Sequence, residues 1–170
     1  LPKPLLASFI PEFVAGIRQF AADKNIRYDL IHSHYWMSGV AAISLKAEWH
    51  VPILQMFHTL GLMKNRIARS PAEMEGEYRV NGEQQVMRAA DRIIAATPAE
   101  ESQLGFLYRV DNRKISIIPP GVDTSRFYPI PKDEARAAIG LQPTDRLLLF
   151  VGRIEPLKGV DTLLEAIGQL

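Results

Sequence analysis

Cysteine is absent from the 170 residues. That excludes a disulfide framework, a thiolate nucleophile and any Cys-based metal centre, and it fits a reducing, cytoplasmic setting. An excess of charge of either sign is also missing. The 20 Lys and Arg are spread among 19 Asp and Glu, for a net charge of +1, with no cluster of five or more like charges. Nucleic-acid binders carry a basic stripe, so a nucleic-acid partner is not expected. Apolar stretches are expected to fall short of the roughly 18 residues that span a bilayer. The N-terminus also lacks the basic start and apolar centre of a signal peptide. Internal repeats and low-complexity tracts are absent as well. What remains is a composition with 47% hydrophobic and 23% charged residues, close to the globular average.

The chain opens at Leu1 without Met and closes within an amphipathic pattern, so a piece of a larger protein is expected. Phe13, Val14, Ile17, Phe20 and Ala21 share one helical face, with Pro11 in the first turn where its missing N–H costs nothing. Asp29-Leu30-Ile31 leads as a short strand into His32, and Ser38-Gly39 can cap a helix running to about Trp49. Residues 51–57 read as a strand, 61–71 as a loop bearing Gly, Lys and Arg, and 73–90 as a helix. Residues 92–96 form a further strand. Thr97-Pro98-Ala99-Glu100 then combines an N-cap, a first-turn proline and a capping-box Glu. Residues 114–118 make a strand stopped by Pro119-Pro120-Gly121. Residues 131–139 make a short helix closed by Gly140, and residues 147–151 make a last strand.

Strands alternating with helices imply a parallel sheet with helices on both faces, the doubly wound α/β layout. The stretch from Pro119 to Pro131 holds four prolines, which marks a connection between domains. The expected organisation is a partial first domain over 1–121, a connection over 122–131, and the start of a second α/β domain over 132–170.

Ligands of open parallel sheets bind beyond the carboxyl ends of the strands. Those ends carry His32, Ser33, His34 and Tyr35, then His58 and Thr59, then Gly152 and Arg153. Gly152 admits close approach, Arg153 offers a fork matched to two phosphate oxygens, and Lys158 adds a mobile charge. The helix after Gly159 adds roughly half a positive charge at its N-terminus. The set suits a diphosphate, although an Arg and a Lys on a solvated loop is the simpler alternative. It matches neither the Walker loop nor the three-glycine dinucleotide fingerprint.

His32, His34 and His58 keep open a metal-dependent hydrolase. No Asp or Glu lies within those two strand ends to complete the ligand set. His50 reads as a residue beside a helix end, and Tyr35-Trp36-Met37 as a packed cluster. Lys64, Arg66 and Arg69 read as a solvated loop. Glu73, Glu75, Glu77 and Glu83 read as an exposed helix face with Arg79 paired among them.

The stretches HSHYWMSG (32–39), FHTLGLMKN (57–65), IIPPGVDTSRF (117–127) and FVGRIEPLKGVDTLLEAI (150–167) together resemble the retaining glycosyltransferases of family 4. Within them the likeness is to the branch of sucrose-phosphate synthase and the mycothiol-pathway transferases. It covers nearly the whole chain from about Tyr28. The resemblance implies a GT-B fold of two Rossmann-like domains, here most of the N-terminal, acceptor-side domain and the start of the nucleotide-sugar domain. It implies transfer of a hexosyl unit from a nucleoside-diphosphate sugar to an acceptor hydroxyl with retention, without a required cofactor or metal. A UDP-sugar such as UDP-glucose is the expected donor.

By the same resemblance Arg153 and Lys158, with Gly152, neutralise the donor diphosphate. His58 attends the donor sugar without acting as a covalent nucleophile. Tyr35, Thr59, Arg79 and Lys64 lie near an acceptor phosphate. The family's N-terminal glycine loop and C-terminal glutamate pair are not found in the sequence, so residues 1–170 alone are expected to be inactive. Relatives with lipid acceptors leave contact with a membrane surface open.

Overall fold

The computed structural model describes residues 3–155 and 158–169. Pro156 and Leu157, within the last of the stretches above, lie outside the described residues, as do Leu1 and Leu170 at the ends of that reading. The chain forms two compact units, the first ending at Pro119 and the second starting at Pro120.

In the first unit, α1 (Lys3–Ala7) and α2 (Ile10–Asp23) precede β1 (Ile31–His34) and α3 (Tyr35–Trp49). Then come β2 (Ile53–Met56), α4 (Gly61–Ile67), a 3-10 turn at Pro71–Glu73, and α5 (Glu77–Ala89). β3 (Arg92–Ala95), α6 (Pro98–Tyr108), a second 3-10 turn and β4 (Ile115–Ile117) complete it. The strands pair in parallel in the order β1-β2-β3-β4. Register places Ser33 beside Gln55, Gln55 beside Ile93, and Ile93 beside Ile115.

The α/β class with a parallel sheet is as expected. Strand order does not reverse among the described residues, so the switch point of a doubly wound sheet is not among them. Right-handed crossovers between successive neighbours bring the intervening helices to one face. That face is buried along Ile53, Gln55, Ile93, Ala95 and Ile115, whereas His32, His34 and Arg92 point the other way and are exposed.

Five readings differ from expectation. β1 is Ile31–His34 rather than 29–31, so His32, Ser33 and His34 lie within the strand instead of beyond its end. α3 begins at Tyr35 after His34, not at a Ser38-Gly39 cap, because Gly39 serves packing instead. A Cβ on Gly39 would stand 2.5 Å from Val86 Cγ1 and from Gln55 Oε1, and a Cβ on Gly82 would stand 2.6 Å from the Trp36 ring. Each glycine thus admits a large side chain from the facing helix, and α3 and α5 approach closely. The expected loop over 61–71 contains α4, whose first N–H groups find side-chain acceptors. The expected 73–90 helix is the 3-10 turn followed by α5, interrupted at Met74–Gly76. Residues 147–151 pair with no strand among the described residues, and Leu149 and Val151 stay 77% and 84% exposed. An apolar run becomes a strand only where a neighbour accepts its ladder bonds.

Other local signals are realised. Pro11 occupies the first turn of α2. Thr97 Oγ1 accepts the Glu100 N–H at 3.1 Å, while the Glu100 carboxylate reaches back to the N–H of Ala96, one residue short of the reciprocal box. His50 closes α3 with φ +56°.

The α2 face divides. Val14 is buried against Ala41 and Leu45 of α3 and Ala21 is also buried, yet Phe13 and Phe20 are exposed. Leu5–Asp23 is moreover long and apolar enough, by length and composition, to cross a membrane. This corrects the expectation that no stretch approaches that length. Amphipathic burial of Val14 against α3 is the feature of a packed surface helix.

In the second unit, α7 (Lys132–Ala138) ends at Gly140, which holds φ +75°. α8 (Val160–Ile167) follows Gly159, at φ +64°.

Candidate functional site

The carboxyl ends of β1 and β2 adjoin, since His34 pairs in register with Met56. Two residues just past these ends, Tyr35 and His58, hold φ +67° and +63°. Non-glycine residues in this region cost of order 1 kcal/mol or more and collect at functional sites. The strand ends bring three imidazoles together. The His32 and His34 rings are 4.3 Å apart, and His34 Nδ1 lies 2.8 Å from His58 Nε2. Burial, followed by the neighbouring charges of His34 and His58, lowers the pKa of His32 from 6.5. Among the described residues no group of three or more His, Asp and Glu can hold a metal ion. His34 and His58 meet at a hydrogen-bonded spacing.

Behind this rim lies a charged network on α5. Arg79 is 1% exposed and Glu83 is fully buried. This corrects the reading of Glu83 as part of an exposed face. Arg79 Nε donates to Glu83 Oε1 at 2.9 Å, and Nη2 donates to the Thr59 carbonyl at 3.1 Å and to Thr59 Oγ1 at 2.9 Å. Arg79 Nη1 stands 2.7 Å from Glu75 Oε1, and the guanidinium carbon sits 5.2 Å from the centre of the Tyr35 ring.

Burial by itself would lower the Arg79 pKa. The Glu83 hydrogen bond and the charges of Glu83, Tyr35 and Glu75 outweigh it and hold the group above its ordinary value. Glu83 also accepts the Gly61 N–H at 3.0 Å and the Tyr108 hydroxyl. Burial, then that bond, pushes the Tyr108 pKa up. Lys64, from α4, is not a solvated loop residue. It pairs with Glu75, with its side chain 27% exposed.

Tyr35, Thr59, Arg79 and Lys64 are therefore joined, through direct contacts or Glu75, into one cluster beside His58. Within it Arg79 and Lys64 face Glu75 and Glu83. The guanidinium is fixed by these contacts, with its donors taken up by Glu83, Glu75 and Thr59.

In the second unit, Gly152 and Lys158 come together. A Cβ on Gly152 would lie 3.9 Å from Lys158 Cγ and 3.3 Å from the Phe150 ring, which leaves little room for a side chain there. Arg153 is 81% exposed at its side chain and stands 3.0 Å from Glu155 Oε1. Lys158 is exposed at the turn that leads through Gly159 into α8. The loop thus presents two cations at a helix start, a geometry that suits anionic oxygens.

The pairing of Arg79 with Glu75 and Glu83, expected from their four-residue spacing, is observed; what the sequence missed is that the group is buried and that Tyr108 belongs to it. Tyr108, from α6, had no such signal. Ser33 was among the strand-end residues, but its buried partner Gln55 was missed. Ser33 Oγ donates to Gln55 Oε1 at 2.6 Å, and Gln55 Nε2 donates to the carbonyls of Met56 and Tyr35 at 2.9 and 3.3 Å. These buried amide bonds carry the backbone through the turn at Tyr35.

Comparison with known proteins matches residues 1–126 to the family model described as Glycosyltransferase Family 4. A D-inositol 3-phosphate glycosyltransferase 2 of Catenulispora acidiphila is 44% identical over 100% of this chain, which covers 40% of that relative. A D-inositol 3-phosphate glycosyltransferase of Actinosynnema mirum is 42% identical over 100% of the chain and 41% of the relative. The chain spans about two fifths of the length of these curated relatives. Among solved structures, the sucrose-phosphate synthase of Thermosynechococcus elongatus superposes with a TM-score of 0.84 at 30% identity, over 100% of this chain and 41% of that one. The Anabaena protein HepE, in complex with UDP-glucose, gives a TM-score of 0.64 at 20% identity over 92% of this chain and 40% of that one, a likeness of fold alone.

Proposed function

Because the chain belongs to glycosyltransferase family 4 and shares the GT-B type of α/β fold with its solved neighbours, we propose that the whole protein is a retaining glycosyltransferase. It moves a hexosyl unit from a nucleoside-diphosphate sugar to a hydroxyl of a phosphorylated acceptor. The observation that carries this reading is the Arg79 fork, fixed by Glu83 and Thr59 beside Tyr35 and His58 at the ends of β1 and β2.

The roles follow from chemistry. Arg153 and Lys158, with close approach allowed at Gly152, neutralise the donor diphosphate. Negative charge grows on the leaving phosphate as the glycosidic bond breaks, so fixed cations stabilise the transition state more than the ground state. His58 steadies the polarised anomeric centre through its carbonyl and ring. Arg79, Thr59, Tyr35 and Lys64 hold the acceptor phosphate and orient its hydroxyl toward the donor. Residues 1–121 are the acceptor-side domain, 122–131 the connection, and 132–170 the start of the donor-binding domain, with a cytoplasmic location. A UDP-sugar is the favoured donor.

An inositol-phosphate acceptor is favoured over fructose 6-phosphate, because the relatives named for inositol 3-phosphate are 44% and 42% identical and the sucrose-phosphate synthase 30%. The test is transfer by the full-length protein, pairing UDP-glucose, UDP-N-acetylglucosamine, ADP-glucose and GDP-glucose with inositol phosphate and with fructose 6-phosphate. One productive pair, reduced roughly 100-fold or more by Arg153→Ala and by Lys158→Ala, supports the reading. Unchanged transfer in both variants sinks the donor assignment. Turnover by residues 1–170 alone sinks the assignment of donor contacts beyond this chain.

A further inference from the structure

The Arg79 cluster is already full of partners, and they are not equivalent. Glu83 is fully buried and held by the Gly61 N–H, the Tyr108 hydroxyl and Arg79 Nε. The Thr59 contacts come from the end of β2. Glu75 belongs instead to the exposed stretch between the 3-10 turn and α5, where Met74 is 52% exposed and Glu73 and Gly76 are also exposed. Its carboxylate nevertheless reaches inward to both cations. Its Oε1 stands 2.7 Å from Arg79 Nη1 and pairs with Lys64 Nζ.

We propose that the Glu75 carboxylate stands in for the acceptor phosphate, bridging Lys64 and Arg79 in the unliganded protein, and that a phosphorylated acceptor binds by displacing it. The inference rests on the acceptor-phosphate reading above and adds the residue that decides which acceptors enter.

Electrostatics favours the exchange. Arg79 and Lys64 face the carboxylates of Glu75 and Glu83, and because a phosphate brings about −1.5 to −2 charge, moving Glu75 out lessens the negative charge left in the cluster. A phosphate added beside an unmoved Glu75 would leave a net negative charge among buried side chains, and uncompensated buried charge is strongly unfavourable. Replacing Glu75 by phosphate keeps both cations paired, with like geometry, because carboxylate and phosphate oxygens both fit a guanidinium fork and an ammonium.

Displacement needs no unfolding. The Asn65 side chain grips the Glu75 backbone from both sides, accepting its N–H at 2.7 Å and donating to its carbonyl at 3.1 Å. The main chain can stay clamped while the carboxylate swings outward. A neutral acceptor offers the two cations nothing in return, so Glu75 selects for anionic acceptors.

The test is calorimetric binding of inorganic phosphate to the full-length protein and its variants. Glu75→Gln is expected to bind phosphate at least about tenfold more tightly than the wild type, the worth of one charge-assisted bond no longer competed for. Phosphate binding that Arg79→Ala abolishes but Glu75→Gln leaves unchanged or weakens would overturn the stand-in role alone, making Glu75 a mere support for the two cations. Phosphate binding indifferent to Arg79→Ala would overturn the acceptor-phosphate reading, and this inference with it. A structure of the wild type with phosphate reads the exchange without any variant: the Glu75 carboxylate beyond hydrogen-bonding distance of Arg79 Nη1 supports displacement, and a retained contact overturns it.

Discussion

His34 Nδ1 faces His58 Nε2 across 2.8 Å, between residues 24 apart in the chain. One nitrogen donates and the other accepts, so the two rings fix each other's tautomer. His58 also holds φ +63°, and the contact helps keep that backbone and ring in place.

His34→Ala is therefore expected to lower kcat of the full-length protein several-fold, the worth of about 1 kcal/mol for one hydrogen bond. KM for the acceptor should stay close to the wild-type value. Steady-state kinetics checks this, and an unaltered kcat would remove His34 from any role in positioning His58.

Arg79→Ala would strand Glu83, which is fully buried. Removing one partner of a buried ion pair typically costs about 3–5 kcal/mol. Urea unfolding should register a loss of that order, and the double variant Arg79→Met with Glu83→Gln should recover a large part of it. A loss below about 1 kcal/mol for the single variant would mean that water reaches Glu83.

The α3–α5 contact gives a stability test independent of charge. A methyl group on Gly82 would meet the Trp36 ring at 2.6 Å, and one on Gly39 would meet Val86 Cγ1 at 2.5 Å. Each glycine-to-alanine change should destabilise by about 1–3 kcal/mol through overpacking, despite the gain in helix propensity. Lower denaturation midpoints with unchanged slopes are the expected signature. Gly16→Ala is the control, because nothing lies within 4 Å of the added methyl group. It should be neutral or stabilising.

The pH dependence of stability has a defined sign at His32. Its pKa is lowered from 6.5 in the folded protein, so the unfolded chain takes up the proton first as pH falls. Stability attributable to His32 is complete above pH 6.5 and declines as pH drops below it toward the folded pKa. Thermal midpoints between roughly pH 7.5 and 5.5 should fall on acidification, and His32→Gln should flatten that slope. An unchanged slope would assign the acid sensitivity to other groups.

Local signals in the sequence were enough to establish the alternation of short strands and helices. Apolar runs such as Ile93-Ile94-Ala95, the Thr97 cap and the left-handed turn at Gly140 depend on residues within a few positions of one another. The strand ends likewise drew attention to His58 and Thr59, and the family resemblance to Arg79, before any contact was known. Tertiary structure alone decided which of the polar residues are buried. Arg79 and Glu83 carry the charges of an exposed helix face, and their mutual pairing, Glu75, and contacts from Gly61, Thr59 and Tyr108 make their burial tolerable. Residues 147–151, expected as a strand, pair with no strand among the described residues, and ladder bonds need a partner that a local apolar run does not supply. Gly39, which resembles a cap by sequence, is small because Val86 and Gln55 lie against it. In each case the deciding atom belongs to a residue distant in sequence, and proximity of that kind exists only after the chain has folded.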